Sequence, residues 1–145
     1  MIAEAREQNR HGNKVSYVLN ERADLSVFGE ASFDFVYTEI TLMHMEPRYS
    51  TAYVAEFFRI CRPGGLVVFQ LVDPTPRQRI RDRIPRPLVY LGNKLRTLRA
   101  PMMEIYGVDR KAIEDIVDGA GGQMLDVQEW ENGNRIERRY WAAID

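Results

Sequence analysis

The sequence predicts an α/β domain, a mainly parallel sheet covered by helices and closed by an antiparallel hairpin. Three observations carry this expectation. Segments rich in β-branched and aromatic residues alternate with segments of helical periodicity, the order that builds parallel sheets. Leu66 to Val72 (LVVFQLV) is a nearly continuous apolar run, the composition of a strand buried on both faces. Asn132-Gly133 separates the last two strand-like segments and favours a tight hairpin turn.

In chain order, Met1 to Arg10 reads as a helix through Ala3, Glu4, Ala5, Arg6 and Glu7, stopped by His11-Gly12-Asn13. Val15 to Leu19 (VSYVL) has the content of a strand, and Asn20 to Ser32 that of a loop. Phe33 to Thr38 (FDFVYT) predicts the second strand. Pro47 suits the first turn of a helix running to about Cys61, with an apolar stripe of Tyr53, Val54, Phe57, Phe58, Ile60 and Cys61. Arg62-Pro63-Gly64-Gly65 signals a turn before the third strand, Leu66 to Val72. From Ile80 to Leu98 apolar residues step by three or four, which predicts a helical insert over 74–103, broken by Pro85 and Pro87. Asp109 is a suitable N-cap for a helix through Val117, closed by the glycines at 119, 121 and 122. Met124 to Trp130 and Ile136 to Ile144 complete five strands.

Composition narrows the class. The chain has 145 residues, 45% of them hydrophobic and 28% charged, enough apolar content for one core and too much for intrinsic disorder. No apolar run reaches the ~18 residues that span a membrane, and the amino terminus lacks the pattern of a targeting peptide. The single cysteine, Cys61, fits a reducing, cytoplasmic setting. With His11, His44 and Cys61 as its soft ligands, the sequence predicts no metal site. The net charge of −1 conceals a division: Arg77 to Arg99 holds eight basic residues against Asp82, or +7, so the remainder carries −8. A nucleic-acid binder is usually basic over its whole domain, so nucleic acid is not an expected partner. The arginines of the insert suit a solvated helical face first, and otherwise a surface for an acidic substrate, a membrane surface or a partner.

The segment FDFVYTEITLMHMEPRYSTAYVAEFFRICRPGGLVVFQL, from Phe33 to Leu71, resembles the core of class I S-adenosylmethionine-dependent methyltransferases of the small-molecule type. The resemblance spans nearly the whole chain. MIAEAREQN is similar to the helix after the family's second strand, and VSYVLNERADL to its third strand and adenine loop. MMEIYGVDRKAIEDIVDGAGGQMLDV is similar to the last helix and the strand after it, and RRYWAAI to the closing antiparallel strand. It implies a single Rossmann-like domain over 1–145, truncated to about five strands, that moves a methyl group from S-adenosylmethionine to a small-molecule or lipid-like acceptor. In that family an insert at 74–103 covers the substrate.

One part of the family pattern is missing. No glycine-rich loop follows a strand and opens a helix, and no acid stands where the ribose would be gripped. The first two strands are absent as well, so cofactor binding by this chain alone is expected to be weak or nil. The alternative is a non-catalytic, degenerate domain that serves as an oligomeric interaction protein. The family's sheet order (three, two, one, four, five, seven, six) would leave Phe33 to Thr38 with an unpaired edge. Either Val15 to Leu19 slides across to cover it in a five-stranded sheet or, the favoured expectation, a second chain covers it in a homodimer, through this edge or by exchange of the Met1 to Asn20 arm.

The resemblance also implies site residues. Glu21, with Asp24 as competitor, matches the acid that receives the adenine amino group, and Arg22 would offer its backbone N–H to the ring. Tyr37 and Thr38 end a strand at the carboxyl edge, where open α/β sheets bind ligands. Glu39 and His44 lie just beyond and are the candidates for a general base on the acceptor.

Overall fold

The computed structural model describes residues 2–76, 78–79 and 104–145. The chain opens with α1 (Ile2–Glu7) and a 3-10 turn (Gly12–Lys14), then runs without regular structure to β1 (Phe33–Thr38). A second 3-10 turn (Leu42–His44) leads into α2 (Pro47–Ile60) and β2 (Cys61–Val72). The body closes with α3 (Arg110–Gly119), β3 (Gly122–Asn132) and β4 (Arg135–Ile144). The four strands form one sheet in the order β1-β2-β4-β3, with β1 parallel to β2 and the remaining pairs antiparallel.

The core lies between one face of this sheet and the helices. Along β2 the odd-numbered residues Val67, Phe69 and Leu71 point into it, as strand alternation requires. They meet Val54, Phe57 and Phe58 of α2, Ile113 and Val117 of α3, and Tyr140 and Ala142 of β4. Phe69 pairs with Tyr140 across the strands, and their rings stack at 5.0 Å with 13° between planes. Pro47 starts α2 as expected, since a first-turn residue loses nothing by lacking an N–H. The opposite face carries Phe35, Tyr37, Val68, Gln70, Glu137, Arg139 and Trp141 by the same alternation.

Four expectations need correction. Val15 to Leu19 is not a strand: it pairs with nothing in the sheet, Leu19 is 60% exposed, and the sheet has four strands rather than five. Strand propensity needs a neighbouring backbone to act on, and none of the four strands pairs with this segment. Arg62 to Gly65 does not separate helix from strand but belongs to β2. Phe33 pairs with Cys61 and Phe35 with Leu66, so the chain bows outward by three residues between those contacts, turning at Gly64 (φ 74°). Gly65 is buried inside this bow, where a Cβ would lie 2.5 Å from Cys61 Sγ and 2.8 Å from the Arg62 carbonyl oxygen. Asp109 precedes α3 but does not cap it with its side chain. The hairpin turn is Gly133-Asn134, one residue later than expected, with Gly133 at φ 63°. The 74–103 insert, apart from residues 74–76 and 78–79, lies outside the described residues.

Candidate functional site at the carboxyl edge of the parallel strands

β1 ends at Thr38 beside Phe69, three residues before β2 ends at Val72, and the residues following β1 turn sharply there. Ile40 adopts φ 57°, a left-handed conformation that a β-branched residue takes at a cost of about 1–2 kcal/mol. Its backbone N–H donates to Gln70 Oε1 at 3.1 Å, which holds the turn. Gln70 is 3% exposed, and its Nε2 donates to Glu137 Oε2 at 2.6 Å. Glu137 in turn accepts from Asn132 Nδ2 at 2.7 Å. A chain of hydrogen bonds thus runs from the loop after β1 through β2 to the hairpin.

Beside it, Glu39 accepts from the Tyr37 hydroxyl and from Arg139. These two donors, the tyrosine first, hold its carboxyl below the usual carboxylate range. The same bond raises the Tyr37 phenol, whose proton the carboxylate retains. Arg139 also lies over the Trp130 ring, 5.6 Å from its centre. Tyr37 is 53% exposed and stacks on Phe35 at 6.1 Å. Thr38, the last residue of β1, is half-buried and pairs with Phe69.

His44 is not part of this cluster. Its Nδ1 lies 3.3 Å from the Glu104 carbonyl oxygen, while Glu39 is engaged by Tyr37 and Arg139. The two residues expected to share one chemical role therefore have separate partners. Glu21 is exposed in the loop that follows Leu19. The Arg22 N–H, expected to face an adenine ring, donates to Asn20 Oδ1 at 3.1 Å. Asp24 accepts from the Ser26 hydroxyl at 2.6 Å and from the Ser26 N–H at 3.0 Å, which lowers its carboxyl. This loop is tied to α2: the Leu25 N–H donates to Glu56 Oε2 at 2.9 Å, and Arg59 Nη2 donates to the Leu25 carbonyl at 3.0 Å.

Gln70, Glu137 and Arg139 are the polar residues of this network that sequence reasoning missed. The signal existed for one of them, since Gln70 is the single polar residue in LVVFQLV. No helix among the described residues is long and apolar enough to cross a membrane. The described residues contain no group of three or more His, Cys, Asp or Glu that could hold a metal ion.

Residues 1–69 match the family of methyltransferase domains. No curated protein matches the chain. Among solved structures, magnesium protoporphyrin IX methyltransferase from Synechocystis PCC 6803, with bound S-adenosylhomocysteine, is similar at 15% identity and a TM-score of 0.62. That match covers 99% of this chain and 57% of the other. A methyltransferase from Methanosarcina mazei is similar at 20% identity and a TM-score of 0.57, over 86% of this chain and 65% of the other. A cyclase, SpnF, has the same fold at 12% identity and a TM-score of 0.62, covering 99% of this chain and 61% of its own. The chain thus spans less than two thirds of the length of these structures. Residues 1–69 are thus similar in sequence to the methyltransferase domain family, and the described residues share the fold of these structures.

Proposed function

We propose that this chain serves S-adenosylmethionine-dependent methyl transfer to a small-molecule acceptor, supplying the part of the domain that carries β1 and β2. The observation that supports this reading is the sheet itself. A parallel pair at one edge continues into an antiparallel hairpin in the order β1-β2-β4-β3, with a polar cluster where the parallel strands end. S-adenosylmethionine supplies an activated methyl on a sulfonium, so the protein's contribution is chiefly alignment. In this reading the Asn20 to Ser26 loop and the turn at Tyr37 to Thr41 serve as one wall of the cofactor's site. The Arg22 N–H must exchange its bond to Asn20 to take part, and the glycine loop and ribose acid are missing. Weak binding follows. In this reading 1–145 is a single domain, and Glu39 serves as a hydrogen-bonded anchor rather than a base. His44 remains the candidate base.

Titration with S-adenosylhomocysteine, followed by backbone amide shifts, tests the reading. Weak shifts confined to Glu21 to Ser26 and Tyr37 to Thr41 are expected. Shifts confined to other segments, or none at any concentration, overturn it.

A second reading, a non-catalytic homodimer, draws on one observation. β1 lies at the edge of the sheet, and its Phe35 and Tyr37 are each 53% exposed. In that reading two copies meet along Phe33 to Thr38, and Tyr37→Lys converts a dimer to a monomer in sedimentation analysis. A wild-type chain that sediments as a monomer at high concentration removes it.

A further inference from the structure

The chain that returns ahead of α3 is fastened on two sides. The Tyr106 N–H donates to the Met43 carbonyl at 2.7 Å, which ties it to the turn after β1. The Val108 N–H donates at 2.9 Å to the carbonyl of Val72, the last residue of β2. From the outgoing side, Gln78 Nε2 donates to the Ile105 carbonyl. Gly107 lies so close to the outgoing backbone that a Cβ there would fall 2.2 Å from the Pro74 nitrogen. Residues 104–108 therefore run in a fixed path between the 3-10 turn and the end of β2.

His44 is the last residue of that turn, and its N–H donates to the Thr41 carbonyl at 3.1 Å. Its ring nitrogen Nδ1 stands 3.3 Å from the Glu104 carbonyl oxygen. A carbonyl oxygen has no proton to give, so this contact is a hydrogen bond only when Nδ1 carries the hydrogen. In the neutral ring Nε2 is then the bare nitrogen, and among the described residues it has no hydrogen-bond partner. A free histidine side chain favours the reverse arrangement, with its hydrogen on Nε2. The path of residues 104–106 thus opposes the ring's own preference. Glu39, by contrast, is already engaged by Tyr37 and Arg139.

We infer that the return segment Glu104–Tyr106 is the positioning element of His44: it holds the ring as the Nδ1–H tautomer and presents Nε2 as the proton acceptor for a substrate hydroxyl or amine. The second ring nitrogen sets which one is free to act, and the Glu104 carbonyl makes that choice here. The use of Nε2 in methyl transfer rests on the reading above, whereas the tautomer and its cause do not. In that use Nε2 takes the proton of the acceptor's O–H or N–H while the acceptor's lone pair forms the bond to the methyl carbon. The carbon–sulfur bond breaks with its electron pair left on sulfur. The ring ends as an imidazolium whose Nδ1–H still donates to Glu104.

The test uses the full 145-residue chain, whose two histidines, His44 and the exposed His11, give two sets of ring signals. Long-range proton–nitrogen correlation spectra, recorded above the ordinary imidazole range, should show Nδ1–H at His44 and Nε2–H at His11. Diethyl pyrocarbonate, which acylates a bare and accessible imidazole nitrogen, should modify His44 as readily as His11. A histidine that serves structure alone, with Nε2 shut away, would resist it. Gly107→Ala pushes the return segment off Pro74, and Gln78→Ala removes its tie at Ile105. Each should shift His44 toward Nε2–H and leave His11 unchanged, and Gln78→Ala carries the test if Gly107→Ala fails to fold. An Nε2–H signature at wild-type His44, resistance of His44 to acylation, or an unchanged tautomer in the folded variants overturns the inference. An Nδ1–H ring with a reactive Nε2, in a chain that gives no response to S-adenosylhomocysteine, would uphold the positioning and overturn the role in methyl transfer.

Discussion

Two donors converge on Glu39, and a carboxylate so held is stabilised in its charged form at the cost of its basicity. Its folded-state pKa is lowered, so its contribution to stability is fully present above the unfolded pKa and is lost as pH falls through the folded one. Unfolding midpoints in urea should therefore drop on acidification below the ordinary carboxylate range. Glu39→Gln should flatten part of that dependence; an unchanged profile would mean the two bonds do not matter in solution. Glu56, bonded first to Arg59, contributes with the same sign. Gln70 makes a second residue-scale case. Gln70→Leu keeps the apolar packing but strands the Ile40 N–H and removes one of the two partners of buried Glu137. A loss of roughly 1–3 kcal/mol is expected by chemical denaturation, the cost of leaving buried polar groups unsatisfied. The position of Gln70 in an apolar run was legible as an anomaly. Its two partners were not, because Ile40 and Glu137 come from elements 30 and 67 residues away.

Elements with their own periodicity were read most accurately. Phe33–Thr38 matches its expected bounds, and Pro47 and the apolar stripe locate α2 to within a residue. What failed was context. Val15 to Leu19 has the composition of a strand without a partner, and Arg62 to Gly65 has the composition of a turn inside a paired strand. At the second of these, adjacent glycines differ in what they tolerate. Gly64 has a positive φ with open space around it, so Gly64→Ala should cost about 1 kcal/mol in backbone strain. Gly65→Ala drives a methyl against Cys61 Sγ, the Arg62 carbonyl oxygen and the Asp34 carbonyl oxygen, and should cost roughly 2–3 kcal/mol. Equal thermal midpoints for the two variants would contradict the packing around β2.

At the scale of the molecule, stability is unevenly distributed. α1 buries no residue, and the segment after it leaves Val15, Val18 and Leu19 exposed, so little apolar contact ties residues 2–19 to the body. Arg6, donating to the Tyr17 carbonyl at 3.0 Å, joins the arm to itself rather than to the core. Brief trypsin treatment should cleave after Arg6, Arg10 and Lys14 while the remaining chain keeps its circular dichroism and cooperative melting. Loss of cooperative melting on that cleavage would show that the arm supports the fold. The order β1-β2-β4-β3 was implicit in the family resemblance, since it follows the four, five, seven, six portion of the complete sheet. The unevenness was not, because it depends on which faces are covered.

The outward bow in β2 also makes that strand a place where chain length is negotiable. Between Cys61 and Leu66 the count of residues is uncoupled from the count of ladder positions, so one more residue there lengthens only the excursion. Four positions further on, no such slack exists. An extra residue after Val68 would invert the alternation downstream, sending Gln70 toward α2 and α3 and turning Phe69 and Leu71 to the opposite face. A glycine inserted after Gly64 should leave a folded protein, and the same insertion after Val68 should abolish cooperative unfolding. This chain should therefore accept an inserted tag or a length variant at the bow and reject one in the apolar run that follows.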